Sequence, residues 1–184
     1  MSVFLCLMVT LWATVNGVCW GEPQEPSLSQ VQAAVLFNFT KFVTWPDDAF
    51  QHTGTTLIIG VLGDDHFGPV LEDTVRDKTV MGKTLAVKRF QSVQAAANSH
   101  ILFLSSSEES HLPQIMKALQ QTSVLTVSDM DQFAERGGMV ALTLDDQKVH
   151  FKVNLDAVER AGLKVGSELL KLAKIVSAQP RTGK

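Results

Sequence analysis

The chain has 184 residues, 45% of them apolar and 19% charged, with a formal net charge of −3. That length suits one domain able to bury about two thirds of its unfolded surface, so no disulfide or metal staple is required, and the composition excludes collagen-like, disordered and low-complexity chains. A weakly acidic balance argues against a nucleic-acid binder, which carries a basic footprint, and the absence of Tyr excludes Tyr-based catalysis and Tyr-stacking surfaces.

Residues 1–40 hold no Lys or Arg, and Glu22 and Glu25 are their only charges. Val3 to Val15 reads VFLCLMVTLWATV, short of the roughly 20 apolar residues a membrane span needs. Asn16, Gly17, Glu22, Pro23 and Pro26 follow it, so residues 1–21 read as a secretory leader cut after Gly17 or Gly21, and 22–184 as one periplasmic domain. Both cysteines, Cys6 and Cys19, lie in the leader, so the mature protein is expected to have no thiol. Lipid modification of Cys19 fits poorly, because Val18 stands where a small residue is wanted.

Ser27 and Gln30 form a capping box opening a helix to about Val43, with Val31, Ala34, Val35, Asn38 and Phe42 on its inward side. Asn38-Phe39-Thr40 is a formal glycosylation sequon, but inside a helix it is read as accidental. Trp45-Pro46 ends the helix. Leu57–Leu62 (LIIGVL) is a strand covered on both faces, and a short helix is expected over 67–75. Leu85–Phe90 and His100–Leu104 are further strands, with a helical turn at 93–97 between them. A helix over 108–119 tolerates Pro113 only near its first turn. Val124–Val127 is a fourth strand, and a short helix over 130–135 is expected to end at Gly137-Gly138. Met139–Leu144 and Val149–Val153 read as a hairpin. Asn154 caps a helix stopped by Gly162. Ser167 opens a last helix, with Leu169, Leu170, Leu172, Ala173 and Val176 packing inward before a basic tail over 178–184. Strands alternating with helices predict an α/β fold: a mixed, mostly parallel sheet with helices on both faces and a C-terminal hairpin plus helices.

Two segments are candidate sites. Gly63, Asp64, Asp65, His66, Phe67 and Gly68 follow the first long strand, where open α/β sheets bind ligands. The glycine spacing suggests a phosphate loop, but Pro69-Val70 replaces its Lys-Ser/Thr. Gly63, Asp64, Asp65, Phe67 and Gly68 are the candidate ligand loop; the alternative is an Asp-rich turn capping the next helix. A phospho-receiver site is rejected, because the third strand ends in Ser105-Ser106-Ser107 instead of an acceptor Asp. The second segment is the crowded first helix and its exit, where Phe37, Phe39, Lys41 and Trp45 are the candidate partner contacts. The alternative is a helix wedged between the sheet and the C-terminal helix. His52, His66, His100, His111 and His150 form no HExxH or Cys/His spacing, and Ser105–Ser107 lack a nucleophile elbow. No nucleophile, base and orienter set is found, so no catalysis, cofactor or metal is expected.

Four stretches carry a resemblance: AAVLFNFTKFVTWP (33–46), IIGVLGDDHFG (58–68), LTVSDMDQFAERGGMVAL (125–142) and FKVNLDAVERAGLKVGSELLKLAKIV (151–176). In this order the sequence resembles the YfiR-like family of bacterial periplasmic proteins over nearly the whole mature chain. The resemblance implies a non-enzymatic regulator that restrains a membrane-bound diguanylate cyclase by contact with its sensor region, limiting cyclic di-GMP and biofilm formation. It also implies an outer-membrane lipoprotein as a second partner, and leaves a homodimer open. Ser99 stands where many members carry a Cys, so the resemblance does not extend to a redox switch. The rival expectation is a periplasmic small-ligand module built on the GDDHFG loop.

Overall fold

The computed structural model describes residues 26–145 and 148–178. The expected leader over 1–21, with both cysteines, the tip of the expected hairpin at 146–147 and the end of the basic tail lie outside the described residues.

Helix α1 (Leu28–Phe42) opens on the expected capping box: Ser27 Oγ accepts the Gln30 N–H at 3.3 Å, and Gln30 Oε1 accepts the Ser27 N–H at 2.7 Å. Its buried residues are Gln32, Ala33, Leu36, Phe39 and Thr40. The predicted inward stripe is therefore rotated, with Ala34, Asn38 and Phe42 facing solvent. Apolar residues occupy too many positions around α1 for period alone to choose a face; packing against the sheet and α2 (Val70–Val75) chooses it. The chain leaves α1 through the short strand β1 (Val43–Thr44) and a 3-10 turn at Asp47–Phe50.

Strand β2 (Thr56–Leu62) is buried on both faces from Leu57 onward, as its unbroken apolar run predicts. Helix α2 begins three residues later than expected, because 67–69 belong to the preceding loop. Strands β3 (Thr79–Val80) and β4 (Lys83–Phe90), helix α3 (Val93–Ala96) and strand β5 (Ile101–Leu104) follow. A 3-10 turn at Ser106–His111 leads into α4 (Leu112–Ala118), with Pro113 in its first turn, and then into β6 (Leu125–Ser128).

The helix expected over 130–135 is a run of turns. Ser128 Oγ accepts the Met130 N–H at 3.0 Å and Thr126 Oγ1 accepts the Met139 N–H at 3.1 Å, so β6 grips both ends of the segment. A Cβ at Gly138 would lie 2.2 Å from the Phe133 ring. Only glycine lets that buried ring fold back beneath the chain.

Strands β7 (Val140–Asp145) and β8 (Lys148–Asn154) form the predicted antiparallel hairpin. Asn154 caps α5 (Leu155–Arg160), its Oδ1 accepting the Ala157 N–H at 3.1 Å. Strand β9 (Lys164–Val165) pairs antiparallel with β1. The last predicted helix is overturned: α6 (Ser167–Leu170) is one turn long, and β10 (Lys174–Val176) runs parallel to β8. Leu169 is buried, but Leu172 is 74% exposed instead of packing inward. β8 has an open edge, and pairing with it satisfies backbone groups that a second helical turn would have used internally.

The described residues form an eight-stranded mixed sheet in the order β10-β8-β7-β6-β5-β2-β4-β3, with a separate β1-β9 pair. β2, β4, β5, β6 and β7 are parallel; the hairpin and β3 supply the antiparallel pairs. One face packs Leu57, Ile59, Val61, Ile101 and Phe103 against α1, α2 and α5. The other packs Leu102 and Leu104 against α3, α4 and Phe133. The chain moves from β2 outward to β4, then returns to β5 on the far side of β2. The topological switch point therefore lies between β2 and β5.

Candidate functional site

The GDDHFG loop leaves the carboxyl end of β2 at that switch point, beside the Ser105–His111 segment that follows β5. Gly63 adopts φ +90° and meets that segment closely: a Cβ there would lie 2.5 Å from Ser107 Oγ and 2.9 Å from Glu108 Cγ. The Asp64 N–H donates to Ser107 Oγ at 2.9 Å. The crevice that open α/β folds use for ligands is thus filled by the chain itself. Asp65 makes an Asx turn, Oδ1 accepting the Phe67 N–H at 2.8 Å. Its Oδ2 accepts Arg89 Nε–H at 2.9 Å. The same guanidinium donates to the Gly68 carbonyl at 2.7 Å and pairs with the Glu72 carboxylate. His66 Nε2 lies 2.7 Å from Gln32 Oε1, and Ser29 Oγ donates to the His66 carbonyl, which ties the loop to α1.

Two expectations for the loop are corrected. Phe67 is buried in the core against Phe103 and His66, so it presents no ring to a ligand. Asp65 caps its own turn and holds Arg89, while α2 has no side-chain cap. Gly63 and Gly68 shape the loop, and Asp64 is its exposed carboxylate. Among the described residues no group of three His, Cys, Asp or Glu side chains could hold a metal ion.

The exit of α1 divides its candidates. Phe39 is fully buried, edge-on to Phe151 at 5.7 Å. Trp45 is buried too, and its Nε1–H donates to the His100 carbonyl at 3.1 Å. Both are core residues and are corrected as partner contacts: β1, paired with β9, and the Phe42 carbonyl before it, which accepts the Gly166 N–H, turn the aromatic run inward. Lys41 is exposed, and Phe37 is half-buried, packed against the edge of the core. The Phe37 ring is covered by two ammonium groups, Lys41 at 4.2 Å and Lys78 at 4.4 Å, a cation–π arrangement that holds the ring upright at low cost.

Below this exit sits His100, one of the five histidines that form no motif in the sequence. His100 Nδ1 accepts the Ile58 N–H at 3.0 Å, while the His100 backbone N–H donates to the Ile58 carbonyl at 2.9 Å. Its ring stacks on Phe50 at 4.4 Å and meets the edge of Trp45. Burial, then the Lys83 charge, push its pKa down to about 4, against a smaller opposing effect of the Ala49 backbone. Arg89 was also missed, since a lone strand arginine gives no signal until the fold brings a carboxylate on each side of it. Of the possible catalytic pieces, His111 Nδ1 meets Glu108 at 3.1 Å at the surface. Ser105 and Ser107 Oγ serve as acceptors for backbone N–H groups.

A family profile described as YfiR/HmsC-like matches residues 29–174, most of the chain. Among solved structures, a conserved domain protein from Vibrio cholerae superposes with a TM-score of 0.54 at 13% identity, over 78% of this chain and 59% of that one. An ABC domain in complex with L-Trp from Streptococcus pneumoniae gives 0.52 at 13% identity, over 80% and 60%. The chain spans about three fifths of the length of these structures, and at that identity the likeness is one of fold.

Proposed function

The chain belongs to the YfiR/HmsC-like family, a family associated with periplasmic regulation of diguanylate cyclases, and we propose that it restrains a membrane-bound diguanylate cyclase from the periplasm by contact with that enzyme's sensor region. The family match over 29–174 carries this reading. Among the described residues no helix is long and apolar enough to cross a membrane. The contact is assigned to a surface of this domain. The outward face of α1 suits it: Phe37, with Lys41 and Lys78 over its ring, offers an aromatic anchor rimmed by positive charge to an acidic segment of the partner. The role is non-enzymatic. Ser105 and Ser107 at the switch point accept backbone N–H groups, and His111 pairs with Glu108 at the surface instead of with a serine.

The test is capture of the partner from membranes by the mature protein, with identification by mass spectrometry, followed by cyclic di-GMP measurement in the native host. A membrane diguanylate cyclase is expected in the captured set, and gene deletion is expected to raise cyclic di-GMP. Phe37→Glu with Lys41→Glu should keep the fold and weaken capture at least tenfold. Unchanged cyclic di-GMP after deletion would refute the regulator reading.

A further inference from the structure

A second feature lies beside β6 and includes no residue of the GDDHFG loop. β6 pairs with β7 at two positions only, Val127 with Val140 and Ser128 with Ala141. The first half of β6 therefore has β5 on one side and no strand on the other. An open cavity of about 420 Å³ occupies that gap, between α4, the end of the 131–138 turns and the last turn of α5. Its size is within the roughly 300–1,000 Å³ of small-molecule sites.

The lining is chemically one-sided. Lys117 comes from α4, Arg136 from the turns and Arg160 from α5, three separate elements converging on one cavity. No carboxylate lines it among the described residues, in a chain whose net charge is −3. Arg136 is held by Glu109 at 2.6 Å. Among the described residues Lys117 and Arg160 have no acidic partner. The remaining walls are mostly aliphatic, Met116, Leu119 and Met139 with Ala157 and Ala161, joined by the Gln120 amide and by no aromatic ring. Thr126 also borders the cavity, its hydroxyl oxygen already accepting the Met139 N–H.

We propose that this cavity binds a small, water-soluble anion bearing a short aliphatic chain, such as an alkyl phosphate or carboxylate, with Lys117 and Arg160 on the anionic head and Met116, Leu119 and Met139 around the chain. Two cations without internal partners gain most from an incoming anion, since no existing pair must be broken. Unbranched thioether side chains adapt to a flexible chain better than to a rigid ring. The site is independent of the cyclase reading: it lies on α4 and α5, away from Phe37 and Lys41.

The methionines supply built-in reporters. Met116 and Met139 line the cavity, Met81 is 72% exposed elsewhere and Met130 is buried in the core. Protein labelled with 13C at the methionine methyls is titrated with hexyl phosphate. Met116 and Met139 are expected to shift saturably, Met81 to stay, and Met130 to mark an intact core. Hexan-1-ol and inorganic phosphate are expected to bind at least tenfold more weakly, since each lacks half of the recognition. Lys117→Gln with Arg160→Gln, both at exposed positions, should raise the Kd for hexyl phosphate at least tenfold, with the Met130 signal unmoved. Equal binding of hexan-1-ol, or an unchanged Kd in that variant, would overturn the proposal. Sedimentation with phosphatidylglycerol vesicles separates a lipid source from a free anion: co-sedimentation without any hexyl phosphate shift would also overturn it.

Discussion

Acid should loosen this fold through His100. The side chain is 1% exposed and its Nδ1 accepts the Ile58 N–H. A proton on Nδ1 would face that donor and break the bond, so the folded state keeps the ring neutral, with burial and the Lys83 charge pushing its pKa down to about 4. In the unfolded chain the same imidazole protonates near pH 6.5. Between those values the unfolded state takes up a proton that the folded state refuses, so stability falls as pH falls. At about 1.36 kcal/mol per pKa unit, the loss reaches about 2 kcal/mol at pH 5 and about 3 kcal/mol by pH 4. Against a typical total of about 5–15 kcal/mol that is a large fraction. The measurement is urea unfolding at a series of pH values, for the natural protein and for His100→Gln. The variant starts less stable at pH 7, having lost the stack on Phe50. Other titrating groups are common to both, so the stability gap between the two proteins isolates His100. The gap should narrow by about 2 kcal/mol between pH 7 and pH 5. A gap that stays constant would mean His100 protonates freely in the folded state, and would refute the reasoning.

Other outcomes follow from single contacts. Arg89→Ala frees the GDDHFG loop by removing the bridge from Asp65 to Gly68 and Glu72; a loss of about 1–2 kcal/mol is expected, read as a lower Tm and faster amide exchange over 64–68. Trp45→Phe removes one hydrogen bond to a carbonyl that still accepts the Leu125 N–H, and should cost about 0.5–1.5 kcal/mol in urea unfolding. Trp45→Ala should cost about 3–5 kcal/mol without changing partner affinity per folded molecule. Gly138→Ala drives a methyl into the Phe133 ring and should destabilise by about 1–3 kcal/mol in thermal melts. Protein recovered from the native host should begin at Glu22, and dithiothreitol should leave its Tm unchanged; retention of Cys19 would show as a reductant-sensitive melt.

Of the two candidate sites, the sequence located the loop but not its occupation. An Asp-rich turn after the first long strand is legible in GDDHFG. That Arg89 from β4 would fill it, and that Ser107 would close the crevice, depends on two strands, the nearer beginning 19 residues downstream of Asp64, arriving on either side of β2. The aromatic run at α1 was equally visible, yet Phe37 and Phe39 differ by two positions and by every physical property that matters to a partner. One is half-buried beneath two lysines and the other is sealed against Phe151.

What the sequence determined by itself are the elements whose signals are satisfied within a few residues. The Ser27–Gln30 box and the Asn154 cap bond their own first turns, and LIIGVL can be buried on both sides only in a sheet interior. Tertiary structure alone decided the rest. The turns at 130–137 lost their expected helix to side-chain bonds from Ser128 and Thr126 on β6. Residues 171–176 carry apolar groups compatible with either a helical or a strand period, so local preference leaves both open. The free edge of β8 offered backbone partners to Lys174–Val176, and that long-range hydrogen bonding, absent from any window of the sequence, made the strand.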